Sequence, residues 1–167
     1  MKIGLLSDTH SYLDEQVFHY FAGCDQVWHA GDIGTLELAK RLEAFRPLKA
    51  VYGNIDNTLI RKHYPLDQWF TCQGLKVWIR HIVGRPNNYT PEVRKILETS
   101  PPDILVAGHS HILRVARDPN YNRLLYLNPG AAGLYGIHTI RTLLSFEIIN
   151  KKVCNMEVVE LGERIPI

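Results

Sequence analysis

Seven residues of this chain have side chains of types that bind metal ions, and each follows a short apolar run. They are Asp8, His10, Asp32, Asn54, His81, His109 and His111. Oxygen and imidazole ligands without a thiolate suit Mn, Fe, Ni or Zn and disfavour a structural zinc site of the cysteine type. Seven ligands are too many for one ion, so the pattern predicts two ions that share a carboxylate, with Asp32 as the central candidate.

A pair of ions of this kind has a defined chemistry. Two dications held by two carboxylates keep about two positive charges, which favour the binding of a phosphate ester. Two ions about 4 Å apart can also hold a hydroxide and bind both phosphoryl oxygens, as in-line hydrolysis requires. The residue types therefore indicate a site suited to phosphate-ester hydrolysis.

The apolar runs before these residues predict the strands that must position them. Such short runs, bounded by turn residues, are typical of buried strands. The predicted strands are Lys2–Ser7, Gln26–His29, Lys49–Tyr52, Lys76–Arg80 and Ile104–Ala107. In an open α/β sheet, ligands bind beyond the carboxyl ends of the strands, so we expect the candidate ligands to meet at one edge.

Three of the candidate ligands are immediately preceded by a glycine. These glycines are Gly31, Gly53 and Gly108. A glycine at such a position permits a sharp turn and a close approach of the backbone to a central object. We expect that object to be the bound pair of ions.

The remaining elements define the fold class. Thr35–Phe45 has a helical apolar stripe with Thr35 as its expected N-cap, and Gln73-Gly74 reads as a hairpin turn. We predict an α/β protein, a four-layer α-β-β-α sandwich of two packed mixed sheets with outer helices, formed as one domain by residues 1–167. Its other predicted elements are helices Asp14–Phe21 and Glu92–Glu98, strand Trp69–Cys72, and antiparallel strands Ile112–Arg117, Arg123–Leu127, Thr142–Ile149 and Val153–Leu161.

The composition is that of an ordinary globular protein, with 46% hydrophobic and 22% charged residues. The formal net charge of +2 is too small to indicate a nucleic-acid partner, and the basic residues are scattered. No segment resembles a signal peptide or a transmembrane helix, and the three cysteines form no CxxC motif. We therefore expect a cytoplasmic protein with reduced, packed cysteines and no membrane association.

The order of the candidate ligands resembles that of the calcineurin-like metallophosphoesterase superfamily. Its pattern of D-x-H, G-D, G-N, H and G-H-x-H stands here as Asp8-Thr9-His10, Gly31-Asp32, Gly53-Asn54, His81 and Gly108-His109-Ser110-His111. The short length and the run Leu127-Asn128-Pro129-Gly130 are similar to the small prokaryotic phosphodiesterase group. That group shares its fold with the retromer-type scaffold subunit.

The resemblance implies a role for each candidate ligand. Asp8, His10 and His111 would hold the first metal ion, Asn54, His81 and His109 the second, and Asp32 would bridge them. A metal-bridging hydroxide would attack a small phosphate diester, with His10, Asp32 and Asn54 closest to the chemistry. The resemblance also implies two divalent ions, with Mn favoured over Ni, Fe or Zn, and a homodimer.

The chain departs from the family pattern at two positions. Many members have a histidine after the G-N asparagine, which is thought to help the leaving group, but this chain has Ile55 there. Because isoleucine cannot transfer a proton, this favours diesters with an undemanding leaving group, whose proton would come from water, from His10 or not at all. The family usually has glycine directly after the fourth ligand, whereas Gly84 lies three residues after His81, and we expect the loop Gly84–Tyr89 to form part of a substrate wall.

Other polar residues near these motifs have competing interpretations. We expect His29 to support the site rather than to bind metal, and Asp56 to act as a turn residue or a hydrogen-bond acceptor. His138 could face the site or pack beneath it. Arg85 and Arg114 could contact a phosphate or be solvated surface arginines.

A second class of function is compatible with the same residues. The chain could be a metal-stabilised scaffold that binds protein partners without hydrolysing anything, as the retromer-type subunit of this fold implies. The scaffold branch tends to lose metal ligands, and the full set of seven favours the enzyme. A nucleotide phosphomonoesterase or nuclease is disfavoured by Ile55 and by the lack of a basic groove pattern.

Overall fold

The computed structural model describes residues 1–164, which form twelve strands and four helices. The strands are β1 (Lys2–Leu6), β2 (Gln26–His29), β3 (Leu48–Ala50), β4 (Asp67–Cys72), β5 (Leu75–Arg80), β6 (Gly84–Arg85), β7 (Asn88–Tyr89), β8 (Ile104–Val106), β9 (Leu113–Asp118), β10 (Leu124–Pro129), β11 (Ile140–Ile149) and β12 (Lys152–Glu163). The helices are α1 (Gln16–Tyr20), α2 (Leu36–Phe45), α3 (Thr58–His63) and α4 (Pro91–Thr99).

The strands form two mixed sheets of five, and a short separate hairpin. Sheet A has the order β12-β11-β1-β2-β3, and sheet B the order β4-β5-β8-β10-β9. Within sheet A, β1, β2 and β3 are parallel, and within sheet B, β5, β8 and β10 are parallel. Five of these six strands, all but β10, precede the candidate ligands, so the carboxyl ends of the five can meet at one edge.

Three apolar clusters show that the molecule has four layers. Along β5, Val77 and Ile79 point into the cluster between the two sheets, whereas Trp78 points into the cluster beneath α4. The third cluster lies between the other face of sheet A and helices α1, α2 and α3. Because side chains alternate along a strand, a strand that is apolar at every position is buried on both faces. The predicted four-layer sandwich is confirmed.

Two helices differ from the sequence prediction. Helix α1 begins at Gln16 rather than Asp14, because the Asp14 carboxylate accepts a hydrogen bond from the Gln16 N–H at 3.0 Å and holds a turn there. Helix α3 was not predicted, since Ile60 is its only buried residue and it has no apolar stripe. Asn57 caps it by accepting from two backbone N–H groups. No helix within residues 1–164 is long and apolar enough to cross a membrane.

The strand predictions also need corrections. Strand β3 ends at Ala50, two residues earlier than expected. The segment Gly84–Tyr89, which we expected to be a loop, forms the small β6–β7 hairpin. Strand β10 pairs with β9 in antiparallel fashion, as predicted, but its other edge pairs with β8 in parallel fashion. The alternation of apolar and polar residues along a strand cannot distinguish parallel from antiparallel pairing. It reports which side chains are buried and not the direction of the neighbouring strand.

Candidate metal centre

The turns after five parallel strands converge where the two sheets meet. The backbone N–H of Asp8, after β1, donates to the Gly31 carbonyl, after β2, at 3.0 Å. Across the interface, His81 Nδ1 lies 2.7 Å from the carbonyl oxygen of Ala30, so a residue after β5 of sheet B is anchored to a turn of sheet A. The predicted edge therefore exists, but two sheets build it rather than one.

One set of ligand atoms comes from Asp8, His10 and His111, and these atoms lie within 4.8 Å of one another. Asp8 Oδ1 is 3.1 Å from Nε2 of His111 and 4.0 Å from Nε2 of His10. Asp8 is fully buried, while the two histidines are partly exposed. The set thus has a buried carboxylate beneath two imidazoles, with access from solvent.

A second set comes from Asp32, His81 and His109, whose ligand atoms also lie within 4.8 Å of one another. Asn54 completes it, since its Oδ1 lies 3.2 Å from Nε2 of His81 and 2.9 Å from Nδ1 of His109. The Nδ1–H of His81 donates to Ala30, which leaves Nε2 unprotonated in the neutral ring and free to bind metal.

Asp32 lies between the two sets. Its Oδ2 is 3.6 Å from Nε2 of His10, in the first set, and 3.3 Å from Nε2 of His81, in the second. Its Oδ1 accepts a hydrogen bond from the Ile55 N–H at 3.1 Å, which fixes the carboxylate plane. One oxygen of Asp32 is therefore within reach of both sets.

The residues present fit a pair of divalent ions. Within residues 1–164, only four buried side-chain polar atoms lack a hydrogen-bond partner, and two of them are Asp8 Oδ1 and His10 Nε2. The other oxygen of Asp8 accepts from Ser7 Oγ at 2.6 Å and from the His109 N–H at 3.1 Å. Buried polar atoms are almost always partnered, so two unpartnered ones of metal-ligand type favour a cation at this point.

The charges of the site depend strongly on one another. Burial opposes the ionised form of Asp32, yet the hydrogen bond and charge of His81 outweigh it and lower the pKa of Asp32. Burial likewise opposes the charged form of His81, yet the hydrogen bond to Asp32 and the charge of Asp8 raise the pKa of His81. Burial lowers the pKa of both His10 and His109. The charged forms of His81 and Asp32 are thus favoured, whereas the neutral form that metal binding requires is favoured at His10 and His109.

Five of the seven candidate ligands have a left-handed backbone. The φ angles are 54° at Asp8, 46° at His10, 53° at Asp32, 67° at His109 and 57° at His111. This conformation is uncommon for residues other than glycine and costs free energy, so it clusters at functional sites. The turns are shaped to aim these side chains inward.

The glycines that precede the ligands lie close to side chains of neighbouring turns. A Cβ added to Gly53 would overlap Oδ1 of Asp32, and one added to Gly31 would lie 2.7 Å from the His81 ring. Gly31 and Gly53 therefore make room for ligand side chains from neighbouring turns. The predicted close approach is confirmed, and the expectation that the glycines also allow approach to a pair of ions stays a prediction.

Two polar residues support the site without joining either set. His29 is fully buried, with Nδ1 accepting from the Gly31 N–H at 3.2 Å and Nε2 lying 3.0 Å from Thr9 Oγ1, so both ring nitrogens have partners. Asp56 accepts hydrogen bonds from Ile33, Gly34 and Gly53 and joins the turns after β2 and β3. Both observations agree with the supporting roles that we expected.

His138 was left undecided by the sequence, and the structure places it against a ligand. Its Nε2 lies 3.0 Å from the Gly133 carbonyl, and its Nδ1 lies 3.3 Å from Nδ1 of His111. If His138 donates to Gly133, its Nδ1 accepts from His111, whose Nε2 then faces Asp8 as a lone pair. No local motif marks His138, because the contact joins residues 27 positions apart.

Comparison with known proteins gives a consistent picture. The profile of the calcineurin-like phosphoesterase superfamily domain matches residues 1–151. A protein of Methanothermobacter thermautotrophicus, described as a probable metallophosphoesterase, is 30% identical in an alignment 142 positions long that covers 78% of this chain and 77% of that protein.

Solved structures show the same fold at lower identity. A structure described as a novel archaeal phosphodiesterase superposes with a TM-score of 0.76 at 23% identity, covering 96% of this chain and all of that one. Vps29 of Chaetomium thermophilum gives a TM-score of 0.73 at 16% identity, with coverage of 99% and 100%. Vps29 of Entamoeba histolytica, solved with Zn²⁺, gives 0.70 at 19%, with coverage of 96% and 99%.

Proposed function

The chain belongs to the calcineurin-like phosphoesterase superfamily, and we propose that it is a phosphodiesterase that binds two divalent metal ions and hydrolyses small phosphate diesters. Asp8, His10 and His111 would hold one ion, and Asn54, His81 and His109 the other. Asp32 would bind both. Mn²⁺ is the proposed metal, with Ni²⁺, Fe²⁺ and Zn²⁺ as alternatives.

The observation that carries this proposal is the position of Asp32 Oδ2 between His10 and His81, at 3.6 and 3.3 Å from their Nε2 atoms. A carboxylate oxygen within reach of two sets of imidazoles suits two ions better than one. When bound, the ions would supply Lewis-acid activation of the phosphoryl group and a nucleophile at neutral pH.

The protein side chains explain the preference for diesters in this proposal. The Ile55 N–H positions Asp32, but the Ile55 side chain, which is 46% exposed, has no proton to give. His10 can transfer a proton, but it is also a proposed ligand. A leaving group that departs as a stable anion therefore suits this site.

The experiment is hydrolysis of bis(p-nitrophenyl) phosphate by protein freed of metal and then titrated with Mn²⁺. We expect turnover to saturate at two equivalents of ion. Asp32→Ala and His109→Ala should each lower kcat/KM at least about a hundredfold, because each removes a ligand. The matched control is His63→Ala, an exposed histidine on α3 whose turnover should equal that of the wild type. Equal turnover by the wild type and both site variants would overturn the proposal.

A metal-stabilised scaffold is the alternative function, and one cavity favours it. A cavity of about 520 Å³ borders Asn54 and His81, and the exposed apolar side chains of Leu66 and Ile82 line it. An apolar surface of this kind can bind a protein partner. Two bound ions, no hydrolysis of mono-, di- or cyclic phosphates, and a copurifying partner would favour this alternative over the enzyme.

A further inference from the structure

A second cavity, of about 320 Å³, borders the candidate metal centre at His109. Its wall includes Gly108 and His109 of the turn after β8, and two arginines, Arg85 and Arg114. No carboxylate lines it, so its charge is positive. Because His109 belongs to both the cavity and the proposed second metal site, a molecule held at the metal centre can extend into this cavity.

Neither arginine side chain is paired with another group of the described residues. Within residues 1–164, the guanidinium groups of Arg85 and Arg114 form no ion pair and donate no hydrogen bond. By contrast, the buried Arg80 is paired with Asp67 and Glu92. Free guanidinium groups present several N–H donors in a planar array that matches the oxygens of a phosphate.

Both arginines are attached to ordered parts of the fold. Arg85 lies on the β6–β7 hairpin, which is tied to β10 because the Tyr126 hydroxyl donates to the Gly84 carbonyl at 2.9 Å. Arg114 on β9 pairs in register with Asn128 on β10. Asn128 in turn donates to the Gly108 carbonyl at 2.9 Å, so the cavity wall and the metal-binding turn share one scaffold.

The two cavities that flank the centre differ in charge. The cavity beside Asn54 and His81 is mainly apolar, and the charge of its one arginine, Arg80, is balanced by two carboxylates. The cavity beside His109 has two unbalanced arginines. A diester with one apolar arm and one anionic arm would match this asymmetry, whereas a symmetric neutral diester would not use it.

We propose that Arg85 and Arg114 bind a distal phosphate of the substrate, so that the substrate class is a phosphodiester with a second phosphate on one ester arm. The inference rests on the proposed function and deepens it. Hydrolysis would add water across the scissile P–O bond, and the distal phosphate would remain intact on the arm held by the arginines.

The test compares two chromogenic substrates that differ only in the distal phosphate. These are the p-nitrophenyl ester of thymidine 5′-phosphate and the same compound with a 3′-phosphate. Both release p-nitrophenolate when water attacks the 5′-phosphorus. We expect the wild type to favour the 3′-phosphorylated compound about tenfold in kcat/KM, as charge-assisted hydrogen bonds predict. Equal kcat/KM for the two compounds would overturn the inference.

Variants distinguish the contribution of these two arginines to the substrate preference from the effect of the overall positive charge. Arg85→Gln and Arg114→Gln should each reduce the preference to about threefold or less, and the double variant should abolish it. The matched control is Arg117→Gln on the same strand as Arg114, an arginine that lines a different cavity, and its preference should equal that of the wild type. A preference that survives in the double variant would contradict the inference.

A second measurement does not depend on catalysis. Inorganic phosphate is titrated into the metal-free protein, and the arginine Nε–H signals are followed by ¹H–¹⁵N NMR. The Arg85 and Arg114 signals should shift together, and the Arg117 signal should not. If no diester is hydrolysed but these signals shift, the proposed function fails and the anion site stands. If the two signals do not move, the anion site fails.

Discussion

The Nδ1 atom of His138 lies 3.3 Å from the Nδ1 atom of His111, while the Nε2 atom of His111 lies 3.1 Å from the Asp8 carboxylate. If His138 donates to Gly133, its Nδ1 accepts the proton of His111 Nδ1 and leaves the lone pair of His111 Nε2 facing Asp8. The orientation of His138 is fixed by the contact of its Nε2 with the Gly133 carbonyl.

Removing this contact should weaken metal binding. His138→Ala should lower the affinity for the Mn²⁺ ion held by Asp8, His10 and His111 about ten- to a hundredfold, because His111 loses the acceptor that orients it. His138→Asn, which can restore an acceptor, should recover part of the loss. Isothermal titration of the metal-free protein measures both affinities. The control is Ile137→Ala, since that side chain is 87% exposed. An unchanged affinity in His138→Ala would show that His111 needs no such partner.

Position 55 offers a gain of function. Ile55→His keeps the backbone N–H that holds Asp32 and adds a proton donor beside the centre. We expect kcat for diesters with an alkoxide leaving group to rise at least about tenfold, with little change for p-nitrophenyl diesters, because only the former need protonation. Ile55→Leu serves as the control for packing. The prediction is wrong if both classes of substrate respond equally.

Gly53 tests whether the turn must admit the bridging carboxylate. A Cβ at Gly53 would overlap Oδ1 and the backbone nitrogen of Asp32, so Gly53→Ala should displace that carboxylate. We expect metal affinity to fall at least about tenfold and stability to fall by about 1–3 kcal/mol, the usual range for overpacking. Metal titration and urea unfolding measure the two effects. Gly23→Ala, where a Cβ meets nothing within 4 Å, should leave both unchanged.

His29 should make the stability of the metal-free protein depend on pH. Burial lowers its pKa from 6.5 to about 4. Between these values the unfolded chain binds a proton that the folded protein does not, so stability falls as pH decreases through this range. From pH 7 to pH 5 the contribution is about 2 kcal/mol. Urea unfolding at several pH values should show a smaller decrease for His29→Gln than for the wild type or for the exposed-site control His63→Gln. Identical slopes would exclude His29 as the source.

The sequence by itself determined the family, the candidate ligands and the outline of the fold. Strands such as β2 and β8 are recognisable by their apolar residues, which are Val27 and Trp28 in β2 and Ile104–Ala107 at β8, and the ligand types follow soon after them. These features depend only on residues that are close in sequence, so they can be recognised without the structure. All seven candidate ligands were identified in this way, and the structure brings them together.

The tertiary structure decided everything that depends on contacts between distant segments. Only the packed sheets show that two of them share the metal-binding edge, that Gly53 makes room for Asp32, and that His138 orients His111. Only the structure also shows the β6–β7 hairpin and the cavity that Arg85 and His109 line together. The physical reason is that ring orientation, close packing and shared cavities arise from neighbours in space, and residue type at one position does not report them.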